Sequence, residues 1–145
     1  MREILFRGIV KDRIGRGSFA YGSLVKNYSS YSICETSTPE NSSHYNPRLR
    51  TPGSRRFYKV IPESIGQFTG LLDKHVNKIF EGDIVKCEYS SVLRYVEWCN
   101  KSGAWQAVGI NSNSPIPIGM PVMSMGHVEV IGNIHDNAEL LGGGE

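Results

Sequence analysis

EGDIVKCEYSSVLRYVEWCNKSGAWQAVGI, residues Glu81 to Ile110, decides the fold. Val85, Cys87 and Tyr89 alternate with Ile84, Lys86 and Glu88, the period of two that defines an extended segment. Gly82-Asp83, just before it, marks a tight reversal into that strand. Downstream, VLRYVEWC and AWQAVGI flank Asn100-Lys101-Ser102-Gly103. Two β-rich runs around four turn residues predict a hairpin, with Gly103 placed to take positive φ.

Working outward, the same period recurs. Ile4, Phe6, Gly8 and Val10 alternate with Leu5, Arg7, Ile9 and Lys11, and DRIGRG (12–17) reads as a turn. SFAYGSLVK (18–26) returns, with Gly22 predicting a bulge or a close backbone approach. YSSYSIC (28–34) is a weaker strand, and FYKVI (57–61) ends at Pro62. LLDKHVNK is a turn, NSNSPIPIGMP is irregular, and HVEVIGNI (127–134) closes the set. Val128, Val130 and Ile134 should face one way and Ile131 the other; Asp136 should cap a helical turn, AELL. No 3.6-residue period persists for ten residues, and no internal repeat occurs. Eight or nine short strands predict an all-β protein of coiled antiparallel strands in one entangled domain over 1–141. Its parts are N-terminal strands over 1–34, a mobile loop over 35–56 and a barrel-like part over 57–141; the tail 142–145 should fray. EGDIVK followed by a turn and the VEW/AWQAV pair looks like the opening of an SH3-like barrel, an analogy that carries no function.

Composition narrows the classes. A chain of 145 residues buries enough surface to need no staples, and a net charge of +2 is too small to argue for phosphate binding alone. Cys34, Cys87 and Cys99 have no CxxC spacing and fit reduced, buried thiols better than a zinc ribbon or disulfide frame, although Cys87 and Cys99 lie on successive strands. MREILFRGIVKDR is too short and too charged for a signal peptide, and no run approaches a membrane span. The expected setting is cytoplasmic, with no membrane.

GQFTGLLDKHVNKIFEGDIV (66–85), VEVIGNIHDNAELL (128–141) and MREILFRG (1–8) share a further property. With the middle block counted from Val60, their order and spacing resemble the YopX family of phage and prophage proteins. The specific positions are Gln67, Thr69, Gly70, Leu71, Asp73, Lys74, Gly82, Asp83 and Val85; FAYGSLV also resembles the family's second strand. Where the family usually carries Asn-Gly after Asp-Lys, this chain has His75, Val76 and Asn77; where it commonly has Pro, this chain has Ala138. The inserted loop at 36–56 has no family counterpart. The resemblance implies an all-β fold of interleaved sheets, often oligomeric, in a phage or prophage protein of a bacterial cytoplasm. It carries over no catalytic residue.

The residues offer three functional readings. Asp83 can fix its turn by accepting a backbone N–H, while Gly66, Gly70 and Gly82 suit positive φ or close approach, which makes Gln67, Thr69, Gly70, Asp73, Gly82 and Asp83 a structural motif. Alternatively, Asp73, Glu81 and Asp83 would be the ligands of a divalent cation, although spacing fixes no complete ligand set. Arg48, Arg50, Arg55, Arg56 and Lys59, with Tyr58 and neighbouring aromatics, would contact single-stranded nucleic acid; Trp98, Trp105 and Tyr95 would add stacking, or would simply be hairpin and core residues. His44, His75, His127 and His135 form no HxH or HExxH pair, and GxSxG, P-loop and GxGxxG motifs are missing. The sequence therefore predicts no enzyme, no cofactor and no metal site. It predicts a phage accessory protein that self-associates and binds a protein partner, with nucleic-acid binding through 48–59 as the alternative.

Overall fold

The computed structural model describes residues 2–12, 19–36, 55–88, 90–110, 115–117 and 128–141. Its strands are β1 (Phe6–Ile9), β2 (Phe19–Lys26), β3 (Tyr31–Thr36), β4 (Arg55–Val60), β5 (Gly66–Leu72), β6 (Lys78–Phe80), β7 (Asp83–Cys87), β8 (Leu93–Cys99), β9 (Ala104–Gly109), β10 (Pro115–Pro117) and β11 (Val128–Asn133). One short helix, α1 (Ala138–Leu141), follows. The all-β expectation holds. The chain forms two compact units, Ile4–Ile65 and Gly66–Glu145 with Met1–Glu3.

In the first unit β1 to β4 lie side by side as antiparallel neighbours, with Phe6 opposite Gly22, Leu24 opposite Ile33 and Ile33 opposite Tyr58. Cross-strand partners share a face, so Leu24, Ile33 and Tyr58 point together into a core completed by Val10, Ala20 and Val60. A bridge between Val10 and Val60, with Lys11 N–H donating to the Lys59 carbonyl, draws the chain after β1 to the end of β4. At Pro62–Ser64 a 3-10 turn stops β4, as the proline predicts; the Ser64 hydroxyl then takes the Ile9 amide at 2.8 Å. Gly22 is the predicted close approach: a Cβ there would collide with the Cys34 carbonyl. The strands reach further than the loop reading over 35–56 allowed, since Glu35, Thr36, Arg55 and Arg56 pair across β3 and β4.

The second unit is built on the sheet β10-β9-β8-β7-β11. Val85, Val96, Ala107 and Val128, with Ile79, form its buried core, and Leu71, Trp105 and Val130 pack against them. Asn100–Gly103 is the hairpin turn that the sequence predicts, with Gly103 at φ 63° and its N–H on the Cys99 carbonyl. Neither sheet closes into a full barrel among the described residues. Three further readings are corrected. LLDKHVNK is not all turn, because β5 runs through Leu72 and β6 starts at Lys78, leaving only 73–77 as the reversal. Pro115–Pro117, read as irregular, pairs with β9 as an edge strand, where a proline's missing N–H does no harm. Asp136 does not cap α1; its carboxylate accepts from Asn133 Nδ2 at 3.1 Å.

Candidate functional site

Asp73 sits at the reversal between β5 and β6 and is 4% exposed. Its Oδ1 accepts the amides of His75 and Asn77 at 2.9 and 2.8 Å. Oδ2 takes Asn77 Nδ2 at 3.3 Å and, from 57 residues along the chain, the Val130 amide at 3.1 Å. Burial opposes the charge on Asp73, but the amides of Val130, Asn77 and His75 outweigh it and hold the carboxyl below its usual value. Lys74 N–H donates to the Val128 carbonyl, and the Lys74 ammonium lies 3.2 Å from Glu129, whose pKa that contact lowers. The Lys74 amide and the Asp73 carboxylate thereby pin the turn to the β11 backbone at Val128 and Val130, and Glu129 pairs with both Lys74 and His75.

The neighbouring motif residues act alike. Thr69 donates its hydroxyl to the Ile79 carbonyl at 2.8 Å and accepts the Leu71 amide, bracing the irregular register between β5 and β6. Gly70, inside that irregularity, has φ 89°. Asp83, 2% exposed, takes the Phe80 amide at 2.8 Å and so fixes the turn through Gly82, which has φ 87°. Gly82 then joins two strands, donating to the Val96 carbonyl and accepting from the Ile134 amide. A Cβ on Gly66 would stand 2.5 Å from the Glu81 carbonyl, so only glycine lets the start of β5 lie against that turn.

These contacts separate the three carboxylates of the metal reading. Asp73 and Asp83 turn inward onto backbone amides, while Glu81 faces a surface cleft. Among the described residues no group of three or more His, Cys, Asp and Glu side chains is gathered to hold a metal ion. The three cysteines are free thiols; Cys87 and Cys99 lie at opposite ends of the β7–β8 pairing. Hydrogen bonds from Ser102 lower the Cys99 thiol's pKa.

Of the basic residues, Arg48 and Arg50 lie outside the described residues. Arg55, Arg56, Tyr58 and Lys59 share β4. Alternation there turns Tyr58 into the core beside Ile33, away from any stacking role. The exposed aromatic ring of β4 is Phe57, at 61%, which the sequence reading left among the supporting aromatics.

Sequence reasoning named the tryptophans but not their neighbours. Trp98 and Trp105 are direct cross-strand partners, in edge-to-face contact with centroids 5.1 Å apart. Both line a cleft of about 330 Å³ with Arg2, Gln67 and Glu81. Gln67 and Glu81 are tied to each other through the Glu81 amide on the Gln67 carbonyl at 2.9 Å. Tyr95 falls on the other face of β8, where burial and then Glu97 raise its pKa.

The family model described as "YopX protein" matches residues 20–142. The chain belongs to the YopX family. Membership points to a phage-associated protein. The YopX chain is also similar to a solved structure, titled "Crystal structure of protein EF1440 from Enterococcus faecalis", at 18% identity and a TM-score of 0.51 over 97% of this chain and 99% of that one. At that identity the likeness concerns the fold alone. No curated protein matches. Among the described residues no helix is long and apolar enough to cross a membrane.

Proposed function

We propose that this YopX protein is a non-enzymatic phage or prophage accessory protein that self-associates and binds a protein partner in the bacterial cytoplasm. The observation that carries the reading is the outer face of the first unit's sheet. Register places Phe57 opposite Cys34 and Cys34 opposite Ser23, so Tyr21, two residues before Ser23, shares that face with Phe57. Tyr21 is 45% exposed and Phe57 61% exposed, with Lys59 next to Phe57 on the same side. Exposed aromatic residues beside a cationic rim are the composition of a protein interface. The buried polar residues of the YopX motif, by contrast, are engaged in holding backbone. Sedimentation velocity tests the reading: the wild-type chain sediments as an oligomer, and Phe57→Asp shifts it to a smaller species. A wild-type chain that remains monomeric at high concentration overturns self-association.

A second reading has one observation in its favour. Exposed Phe57 and Lys59 share one face of β4, a stacking ring beside a phosphate-binding cation. Replacing Arg48, Arg50, Arg55 and Arg56 with Gln then weakens retention of single-stranded DNA and flattens its salt dependence. No retention at low salt ends this alternative.

A further inference from the structure

Two lysines face each other on the outer side of the first unit's sheet. Val10 bridges Val60 in antiparallel register, with the Lys11 N–H on the Lys59 carbonyl and the Ile61 N–H on the Ile9 carbonyl. One step along that register, Lys11 lies opposite Lys59. Val10 and Val60 are core residues, so alternation turns both lysines to the outer face, and both are exposed. Like charges directly opposite each other destabilise an antiparallel pair. On its other side Lys59 faces Ser32, which carries no charge. Among the described residues neither ammonium has an ion-pair partner, Asp12 included.

Phe57 supplies the second observation. It lies two residues from Lys59 on the same face, about 7 Å along β4. Its ring is 61% exposed. Two ammonium groups side by side match a dianion, which a phosphate monoester approaches at neutral pH and an internal phosphodiester does not. An open aromatic ring beside them takes a flat ring. Base and 5′-phosphate stand apart in a nucleotide and so satisfy both positions. In phosphotyrosine the phosphate sits on the ring itself and falls short of that span.

We propose that Lys11 and Lys59 hold the 5′-phosphate monoester of a nucleotide whose base stacks on Phe57. The nucleotide is either free or the 5′ end of a single strand. The site shares Phe57 and Lys59 with the second reading above, but it adds Lys11, reads a terminal phosphate and needs none of the arginines. Phe57 cannot serve the ligand and a second copy at once, so the titration uses the concentration at which the chain sediments as its smallest species.

Titration of the full chain with dTMP gives saturable amide chemical shifts at Lys11, Phe57 and Lys59. Thymidine, which lacks the phosphate, and inorganic phosphate, which lacks the ring, each bind at least about tenfold more weakly. Lys11→Gln and Lys59→Gln each weaken dTMP binding several-fold and flatten its salt dependence. Neither lowers the urea midpoint, since each removes one of two facing like charges. Phe57→Ala lowers dTMP to the affinity of inorganic phosphate. The pentamer TTTTT carrying a 5′-phosphate separates the two sources. Binding tighter than dTMP assigns the site to a strand end, and equal binding assigns it to a free nucleotide, both in support. Four results overturn the proposal: no saturable shift with dTMP up to about 10 mM; equal binding of dTMP and thymidine; Lys11→Gln binding dTMP as tightly as wild type; or O-phosphotyrosine binding more tightly than dTMP, which assigns the face to a phosphorylated peptide. TTTTT bound equally with and without its 5′-phosphate also overturns it, while leaving the second reading intact.

Discussion

At the residue scale, Asp73 shows how a carboxylate becomes structural. Four hydrogen bonds converge on its two oxygens, so removing it orphans buried donors in both the turn and β11. Asp73→Ala should cost about 3 kcal/mol, read from urea midpoints, because each unsatisfied buried donor costs about 1–3 kcal/mol. The pH dependence has a definite sign. A carboxyl whose folded pKa is depressed stabilises the protein fully above its unfolded value, and that stability is lost as pH falls through the lower folded value. Wild type should therefore lose stability on acidification below about pH 4, and Asp73→Asn should lose less over the same window. Val76 is the opposite case. It holds φ 65° and is 73% exposed, a left-handed conformation that a β-branched residue adopts only under strain. The family's Asn-Gly falls in this turn, which closes here regardless through the Val76 amide on the Asp73 carbonyl and the Asp73 amide on the Asn77 carbonyl. Val76→Gly should raise stability by about 1 kcal/mol, seen as a higher denaturation midpoint with unchanged slope. At Gly66, Ala should destabilise by about 1–3 kcal/mol, since the added methyl meets backbone rather than a flexible side chain.

At the scale of elements, the β8–β9 hairpin was legible from its alternation and from Gly103 because both signals are local. β10 was not legible: Pro115-Ile116-Pro117 looks like a breaker until β9 supplies a partner that needs no N–H from either proline. β5 was hidden for a related reason. Its register with β6 slips between Phe68 and Leu72, so its pattern is not a clean period of two. β11 carries another irregularity, between Val130 and Gly132, which leaves Ile131 outside the pairing and 38% exposed, on the side the sequence indicates. The tryptophan pair divides its labour unevenly. Trp105→Ala should cost about 3 kcal/mol as a core-packed indole is removed, and Trp98→Ala about 1 kcal/mol for the lost ring contact. Thermal or urea unfolding of the two variants distinguishes them.

At the scale of the whole molecule, the structure separates what holds the chain from what the chain presents. Residues remote in sequence, Asp73 with Val130 and Gly82 with Val96 and Ile134, meet at the corners of the second unit. Sequence indicated that Gly82 and Asp83 were turn residues, since turn chemistry is local. It could not indicate that Asp73 reaches β11, or that Arg2, Gln67 and Glu81 gather around the tryptophans, because such meetings depend on topology. Nor could it indicate that Tyr58 is inward and Phe57 outward, because β4 has no clean apolar alternation to set its register. Tyr21 and Phe57 present exposed rings, while the motif carboxylates hold backbone amides. Amide hydrogen exchange on the native protein and on Asp73→Ala tests that division most directly. The account predicts that His75, Asn77 and Val130 lose protection by about tenfold or more in the variant, beyond any change in the β8–β9 amides. Unchanged protection at those three amides would contradict it.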